Sequence, residues 1–254
     1  MQGVDRIDLT GKVAIVTGGT RGLGRRIAEA LVRAGAAVTV CGRTEPGSLP
    51  EGTSFRAADI REPEQAQALV DSVAQAHGRL DILVNNAGGS PQAPATASPR
   101  FFDAIVRLNL HSAMYMSQYA HAHMARAGSG CIVNIASISG VRPSPMTAAY
   151  GAAKAGLLNL TQSLAQEWGP DGIRVNAIVV GLVQSGAEEE PYGDAAVQAK
   201  IARTLPLQRM GTGDDVAGAV LWLSSGLAGW VSGARINVDG GGERPYFLDI
   251  AKGS

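Results

Sequence analysis

The sequence contains few of the residues that characterise disulfide-rich or metal-binding proteins. Its 254 residues include only 2 cysteines and 4 histidines. Cys41 and Cys131 each lie in a short apolar run, which is typical of buried thiols and not of a disulfide framework. His121 and His123 are two residues apart on a predicted helix and so point to different faces, and the other two histidines have no partner at ligand spacing. We therefore predict no metal site.

The chain also has neither a net charge nor a long hydrophobic segment. Its 22 basic residues balance 22 acidic residues, so the composition does not favour a nucleic-acid partner. No run approaches the roughly 20 apolar residues needed to cross a bilayer, and charges interrupt the N-terminus before a signal peptide could form. We predict a cytoplasmic protein with no membrane partner.

Short apolar runs alternate with segments of helical periodicity along the whole chain. The predicted strands are 13–17, 37–41, 53–57, 82–84, 131–136, 174–179 and 235–238, and the predicted helices are 23–34, 63–77, 101–127, 148–168 and 213–225. This alternation is typical of a parallel sheet covered by helices on both faces. The predicted fold class is α/β, a Rossmann-type doubly wound seven-stranded parallel sheet in three α/β/α layers. We expect residues 1–254 to form a single domain, with 185–212 as a substrate lid.

A glycine-rich turn follows the first predicted strand. The run from Thr17 to Gly24 reads TGGTRGLG and leads directly into a helix. Such glycines let backbone amides approach a pyrophosphate at the helix N-terminus. The spacing G-x-x-x-G-x-G differs from the common G-x-G-x-x-G fingerprint, so the turn alone leaves two interpretations, a dinucleotide site and a turn without a ligand.

The end of the second predicted strand reads Cys41-Gly42-Arg43-Thr44. NAD-binding folds place a carboxylate there for the ribose 2′-hydroxyl, and this chain has none. Arg43, together with Arg21 in the glycine turn, supplies guanidinium groups that suit a 2′-phosphate. The pattern favours NADP(H) over NAD(H), although each arginine alone is equally typical of a solvated loop.

Tyr150 and Lys154 are four residues apart, which places them on the same face of a predicted helix. A cation about 4 Å from a phenol can lower the phenol's pKa by the roughly 2–3 units that proton transfer near neutrality needs. We expect Lys154 to lower the pKa of Tyr150 in this way, so that the phenol exchanges a proton with an alcohol or a carbonyl. Taken alone, the pair is equally consistent with a tyrosine beside a surface lysine.

With the glycine turn, the Asn-Asn-Ala-Gly run at 85–88 and the Tyr150/Lys154 pair in this order, the chain resembles the short-chain dehydrogenase/reductase family over essentially its whole length. The resemblance adds further positions to the two arginines. The predicted cofactor-binding residues are Gly18, Thr20, Arg21, Gly22, Leu23, Gly24, Arg43, Asp59, Ile60, Asn86, Ala87, Gly88, Tyr150, Lys154, Val183 and Ser185.

The resemblance also implies a catalytic set of Asn109, Ser137, Tyr150 and Lys154. Asn109 matches the family's mid-helix asparagine, which holds a water on the proton path to the lysine. Ser137 precedes Tyr150 by 13 residues, the spacing of the serine that orients the substrate oxygen. Ser139 remains a nearby competitor for that role.

The resemblance implies an NADP(H)-dependent oxidoreductase that transfers hydride between nicotinamide and a ketone or secondary alcohol, such as a 3-oxoacyl thioester. The alternative is a non-catalytic NADP-binding protein for assembly or redox sensing. We expect the substrate pocket to be walled by 89–97, 141–147 and 186–210, whose apolar composition favours a hydrophobic ketone over a sugar derivative. A homotetramer or homodimer paired through helices 101–127 and 148–168 is also implied.

Two features of the sequence have structural consequences that the sequence alone does not determine. Val180 stands where the family usually has proline, so the stiffness of the hinge into the following loop is left open. The apolar C-terminal segment 244–248 could pack locally or close over the site of a neighbouring subunit.

Overall fold

The computed structural model describes residues 7–184 and 192–243, and within them seven parallel strands form one sheet. The strands lie in the order β3-β2-β1-β4-β5-β6-β7. Their bounds are β1 Val13–Thr17, β2 Ala37–Gly42, β3 Thr53–Ala57, β4 Ile82–Asn85, β5 Gly130–Ser137, β6 Ile173–Val180 and β7 Arg235–Val238. The predicted fold class is confirmed, and the strand positions are correct to within one residue at each end.

Helices cover both faces of this sheet. They are α1 Gly22–Arg33, α2 Pro63–His77, α3 Pro99–Val106, α4 Ser112–Ala127, α5 Ala148–Trp168, α6 Ala195–Thr204 and α7 Gly213–Ser224. Strand β1 shows how the two layers share the sheet, because alternate side chains of a strand point to opposite faces. Ala14 and Val16 pack into the core beneath α1 and α7, whereas Val13 and Ile15 pack into the core beneath α2 and α4.

The predicted helix 101–127 is a longer helical run, 99–127, with a change of geometry in its middle. The five residues Arg107–His111 form a π-helical segment between α3 and α4. Such wide turns are rare and occur mostly at functional sites. Asn109 lies in this segment and is buried.

Helix α6 was not predicted, because the segment between 180 and 213 was expected to be a long irregular connection. Asp194 caps this helix by accepting a hydrogen bond from the Val197 backbone N–H at 2.9 Å. No residue of α6 is buried. Val197 and Ile201 are four residues apart in this helix, the spacing of one helix face, so the sequence contains a short signal that the prediction overlooked.

Val180 extends strand β6 to the same level as its two neighbours. It is in register with Ser137 of β5 and with Val238 of β7. The backbone N–H of Gly181 then donates to the Val238 carbonyl at 3.0 Å. Three adjacent strands therefore end side by side, at the edge where open α/β sheets bind their ligands.

None of the described helices combines the length and the hydropathy that crossing a bilayer requires.

Candidate active site

Tyr150 and Ser137 meet where α5 begins and β5 ends. The Ser137 hydroxyl lies beside the Tyr150 phenol, close enough to influence the pKa of the phenol. The hydroxyl of Ser139, the competing serine, instead accepts a hydrogen bond from Ser144 Oγ at 3.0 Å. Ser137 also accepts a bond from the Ser139 backbone N–H at 3.2 Å, which fixes its position. The structure therefore brings Ser137, and not Ser139, to the phenol.

Lys154 lies one helical turn beyond Tyr150 and points into the protein. Its side chain is 3% exposed, and Nζ donates to the Ile135 carbonyl at 2.7 Å. Strand β4 pairs with β5 only as far as Asn85 and Asn134. The lysine thus binds a carbonyl just beyond the point where this strand pair ends. Nζ is 5.5 Å from the centroid of the Tyr150 ring.

Burial dominates the protonation of both groups. It lowers the pKa of Lys154 to about 8, because the protein interior disfavours the ammonium. It also raises the pKa of Tyr150, while the Ser137 hydrogen bond opposes this rise and an interaction with Tyr192 adds to it. The expectation that Lys154 lowers the phenol's pKa is therefore wrong for the protein alone. Tyr150 is protonated at neutral pH, the form that can donate a proton.

Asn109 is held by both backbone groups of Gly89. Its Oδ1 accepts from the Gly89 N–H at 2.9 Å, and its Nδ2 donates to the carbonyls of Gly89 and Ile105, each at 2.9 Å. A Cβ atom placed on Gly88 would lie 2.6 Å from Asn109 Oδ1 and 3.2 Å from Lys154 Nζ. Asn109 and Lys154 thus both lie against Gly88, which has no side chain.

The glycine turn leaves the start of α1 open to an anion. Arg21 is the N-cap residue, yet no side chain caps the helix and its first turn contains no acid. Ser98 and Thr212 cap α3 and α7, whereas α2 and α5, like α1, have no side-chain cap. Uncapped amides and the positive end of the helix dipole favour a phosphate group. The turn therefore fits the pyrophosphate of a dinucleotide.

The segment 86–88 supports this turn from the neighbouring strand β4. Thr17 Oγ1 accepts from the backbone N–H groups of Asn86 and Ala87, both at 3.0 Å. Asn86 Nδ2 donates to the carbonyls of Thr17 at 2.9 Å and Gly18 at 3.2 Å. Gly18 has a φ of +62°, which favours glycine. A Cβ on Gly24 would collide with Asn86 Nδ2 and the Gly18 carbonyl. These hydrogen bonds and close contacts hold the glycine turn against the segment that follows β4.

Arg21 and Arg43 lie beyond the carboxyl ends of the adjacent strands β1 and β2, and both are exposed. Asp59 follows β3, where Arg61 binds its carboxylate through Nε at 2.8 Å. That hydrogen bond is the largest influence on the pKa of Asp59, which is lowered, and the charge of Arg43 adds to the effect. Ile60 is buried beside it. The predicted adenosine-binding positions therefore share one edge of the sheet.

Some predicted positions lie partly or wholly outside the described residues. Val183 is described and pairs with Gly211 through an isolated parallel bridge. Ser185 and the first part of the predicted lid 185–212 are outside the described ranges, as is the C-terminal segment 244–248.

A cavity of about 180 Å³ lies at the ends of β5, β6 and β7. Its walls are Ile138, Val141, Arg142, Gly181, Leu182, Leu205, Asp239, Gly242 and Glu243. The predicted walls 141–147 and 186–210 contribute, whereas 89–97 does not line this cavity. The contribution of 239–243 was missed, because only the pairing of β7 with β6 brings it beside residues about 100 positions earlier.

Comparisons with known proteins agree with this geometry. A family model described as Enoyl-(Acyl carrier protein) reductase matches residues 18–243. A 7alpha-hydroxysteroid dehydrogenase of Clostridium sardiniense is 37% identical and covers 92% of this chain and 94% of its own length. An L-rhamnose 1-dehydrogenase (NAD(P)(+)) of Azotobacter vinelandii is 36% identical and covers 92% of this chain and 97% of its own length.

A solved structure extends the agreement to three dimensions. The gluconate 5-dehydrogenase of Burkholderia cenocepacia J2315, crystallised with NADP and tartrate, has a TM-score of 0.85 and 31% sequence identity. It covers 93% of this chain and 97% of its own. The predicted resemblance is confirmed, and the protein is an enzyme, an NAD(P)-dependent dehydrogenase or reductase that acts on CH–OH groups of a small molecule. The chain belongs to the short-chain dehydrogenase/reductase family.

Proposed function

We propose that the protein is an NADP(H)-dependent oxidoreductase that transfers hydride between nicotinamide and a ketone or secondary alcohol. The observation that carries the proposal is that the Ser137 hydroxyl lies beside the Tyr150 phenol, one helical turn from the buried Lys154. The cavity begins at Ile138, the residue after Ser137. A 3-oxoacyl thioester is one substrate of the right chemistry, because its reacting group is a ketone.

Tyr150 donates the proton in the reducing direction. The substrate carbon gains a hydride, the substrate oxygen gains the proton of the Tyr150 hydroxyl, and the C=O double bond becomes a secondary alcohol. When bound, the nicotinamide supplies the hydride or, in the reverse direction, accepts it. Ser137 donates a hydrogen bond to the same oxygen and so stabilises the charge that develops there.

Lys154 and Asn109 return a proton to Tyr150 after each reduction. Because burial lowers the pKa of Lys154 to about 8, its ammonium can release a proton near neutral pH. Its proximity to Asn109, across Gly88, supports a relay in which Asn109 holds a water between the lysine and solvent. Lys154 would also bind the ribose hydroxyls next to the nicotinamide.

The cofactor would lie across the carboxyl ends of the strands. The uncapped start of α1 would hold the pyrophosphate, and the exposed Arg21 and Arg43 would bind the 2′-phosphate of NADP(H). Asp59 and Ile60 would flank the adenine, while the segment 86–88 supports the adenosine ribose. Val183 and Ser185 would contact the nicotinamide.

We also propose a single domain over 1–254, with 185–212 as its substrate lid, and a homotetramer or homodimer. The capped helix α6 lies within the lid segment and contributes no buried residue, so its attachment to the rest of the protein is weak.

The support for an oligomer comes from α5, where Ala152 and Ala155 are exposed. Their small side chains support close packing of α5 against the same helix of a second copy.

The direct test follows nicotinamide absorbance with NADPH or NADH and a panel of ketones, diketones, 3-oxoacyl thioesters and a 2-enoyl thioester. Turnover of a ketone is expected, and Tyr150→Phe should reduce its kcat by about 10²–10⁴-fold while cofactor binding remains. Turnover of the variant within a few-fold of wild type would remove Tyr150 from the acid role. Cofactor binding without turnover of any compound would favour the non-catalytic alternative.

A further inference from the structure

We propose that the ion pair between Arg142 and Glu243 makes the cavity selective for neutral ketones and against anionic ones. The inference rests on the proposed function, because it takes the cavity as the site of the non-reacting part of the substrate. It makes Glu243 a specificity-determining residue.

The position of the cavity follows from the register of three strands. Ser137, Val180 and Val238 are aligned at the ends of β5, β6 and β7. The next residue along each strand lines the cavity, and these residues are Ile138, Gly181 and Asp239. The cavity thus begins one residue beyond Ser137, and the proposal takes it to receive the non-reacting part of a substrate whose oxygen is hydrogen-bonded by Ser137.

Most of the cavity wall is apolar. Ile138, Val141, Leu182 and Leu205 line it, and Leu205 is 2% exposed. Such a surface binds hydrocarbon by removing apolar area from water. Discrimination between substrates of similar size must therefore come from the charged residues on the same wall.

Arg142 already has a carboxylate partner within the protein. Its Nη2 donates to Glu243 Oε1 at 2.6 Å, and its Nη1 donates to the Pro143 carbonyl at 3.1 Å. The side chains of Arg142 and Glu243 are 41% and 35% exposed. A pair this exposed stabilises a fold by only about 0–1 kcal/mol, so either residue can be replaced without unfolding the protein. Glu243 occupies the place that the carboxylate of an anionic substrate would take.

Asp239 adds a second negative charge to the wall. Its Oδ1 accepts from the Gly241 N–H at 3.1 Å, and its Oδ2 accepts from Asn237 Nδ2 at 3.2 Å. Among the described residues, the cavity is therefore lined by one positive and two negative side chains, whose charges sum to a negative value. An anionic substrate would have to displace Glu243 from Arg142 and would also be repelled by Asp239, whereas a neutral ketone meets neither obstacle.

The test uses a matched pair of ketones that differ only in charge. The neutral ketone with the highest kcat/KM in the panel is compared with an analogue that carries a carboxylate at the far end from the carbonyl. Wild type should prefer the neutral compound by about tenfold or more in kcat/KM, the usual scale for one charged contact. Glu243→Gln keeps the side chain's shape and removes its charge. It should raise kcat/KM for the carboxylate by about tenfold and leave the neutral ketone within about threefold.

Two further variants separate this effect from a general change in charge. The double variant Glu243→Gln with Arg142→Gln should lose the gained activity on the carboxylate, because the freed guanidinium is what binds it. Arg235→Gln removes a charge from the exposed face of β7, where Arg235 donates to Gln162 at 2.8 Å, and should leave the preference unchanged. Equal use of both ketones by wild type, or an equal effect of Glu243→Gln on both, would overturn the proposal.

Calorimetric binding of both ketones to the cofactor-loaded protein keeps this result distinct from that of the proposed function. Selective binding of the neutral ketone without turnover would contradict the proposed function and support the selectivity. Turnover of both ketones with equal kcat/KM would support the proposed function and contradict the selectivity. Binding of neither compound would show that the cavity is not a ketone site and would overturn the proposal.

Discussion

Lys154 donates a hydrogen bond to the Ile135 carbonyl at 2.7 Å, one residue beyond the last paired residue of β5 and β4. The ammonium therefore satisfies a carbonyl at the end of a strand pair, but it does so in a place that water does not reach. Burial lowers the pKa of this lysine from its ordinary 10.5 to about 8. The folded protein thus carries a charge that destabilises it.

Replacing this lysine should stabilise the protein and abolish its activity. A shift of this size corresponds to about 3 kcal/mol at neutral pH, against which the lost hydrogen bond counts about 1 kcal/mol. We expect Lys154→Met to raise the free energy of unfolding by about 1–3 kcal/mol at pH 7, measured by urea titration, with no detectable ketone reduction. A less stable Met variant would show that the ammonium's contacts outweigh its burial.

The same variant reveals the pH dependence of this effect. The lysine loses its proton near pH 8 in the folded protein and near 10.5 in the unfolded chain. Between these values the unfolded chain binds more protons, so the lysine's contribution to stability rises with pH. The stability advantage of Lys154→Met should be largest below pH 8 and should shrink as the pH rises towards 10.5. A difference that is constant over this range would contradict the lowered pKa.

Ser137 and Ser139, near the end of β5, are a matched pair for testing which serine donates a hydrogen bond to the substrate oxygen. The Ser137 hydroxyl lies beside the Tyr150 phenol and influences its pKa, whereas the Ser139 hydroxyl accepts a hydrogen bond from Ser144. We expect Ser137→Ala to lower kcat by about 10²–10³-fold and Ser139→Ala to change it by less than about threefold. Steady-state kinetics on the same ketone decide between them. The reverse order of effects would assign the catalytic contact to Ser139.

Arg43 should determine part of the preference between the two nicotinamide cofactors. A charge-assisted hydrogen bond to phosphate contributes about 1.5–3 kcal/mol. Arg43→Gln should therefore weaken NADPH binding by about 10–100-fold and leave NADH binding within about threefold. Arg56 is an exposed arginine on the neighbouring strand β3, so Arg56→Gln is the control. Equal losses for both cofactors would mean that Arg43 does not bind the 2′-phosphate.

Gly88 should tolerate no side chain, because its Cβ would lie 2.6 Å from Asn109 Oδ1. We expect Gly88→Ala to displace Asn109 or Lys154 and to lower kcat by about tenfold or more, since small displacements of catalytic groups reduce rates strongly. Gly218 in α7 has no atom within 4 Å of an added Cβ. Gly218→Ala should keep the wild-type kcat and stabilise the helix by about 1 kcal/mol. Full activity of Gly88→Ala would exclude the close arrangement around it.

The fold could be predicted from the sequence because its signals are local. The strands are continuous apolar runs, and the glycine turn stands between β1 and α1, so both are readable without knowledge of the rest of the chain. Helix α6 has only a short signal, Val197 and Ile201 four residues apart, and this signal was overlooked. The acidic side of the cavity was unreadable for another reason. Asp239 and Glu243 line the same cavity as Arg142 only because of the order of the strands in the sheet, which no short stretch of sequence records.

The direction of the Tyr150 pKa shift was also beyond the sequence. The spacing of Tyr150 and Lys154 correctly placed the two side chains on one helix, and the ring and the ammonium are indeed neighbours. Spacing does not reveal how deeply each group is buried. Burial is the largest influence on both pKa values and reverses the expected shift of the phenol.

The π-helical segment 107–111 determines what the removal of one residue would do. A π-helical turn holds about one residue more than an α-helical turn, so deleting a single residue of 107–111 would leave a regular α-helix with α3 and α4 in nearly their present orientation. Met116, Ala120 and Met124 would stay buried, whereas the carboxamide of Asn109 would lose its alignment with both backbone groups of Gly89. The extra residue of the wide turn thus serves the placement of Asn109 and not the packing of α4.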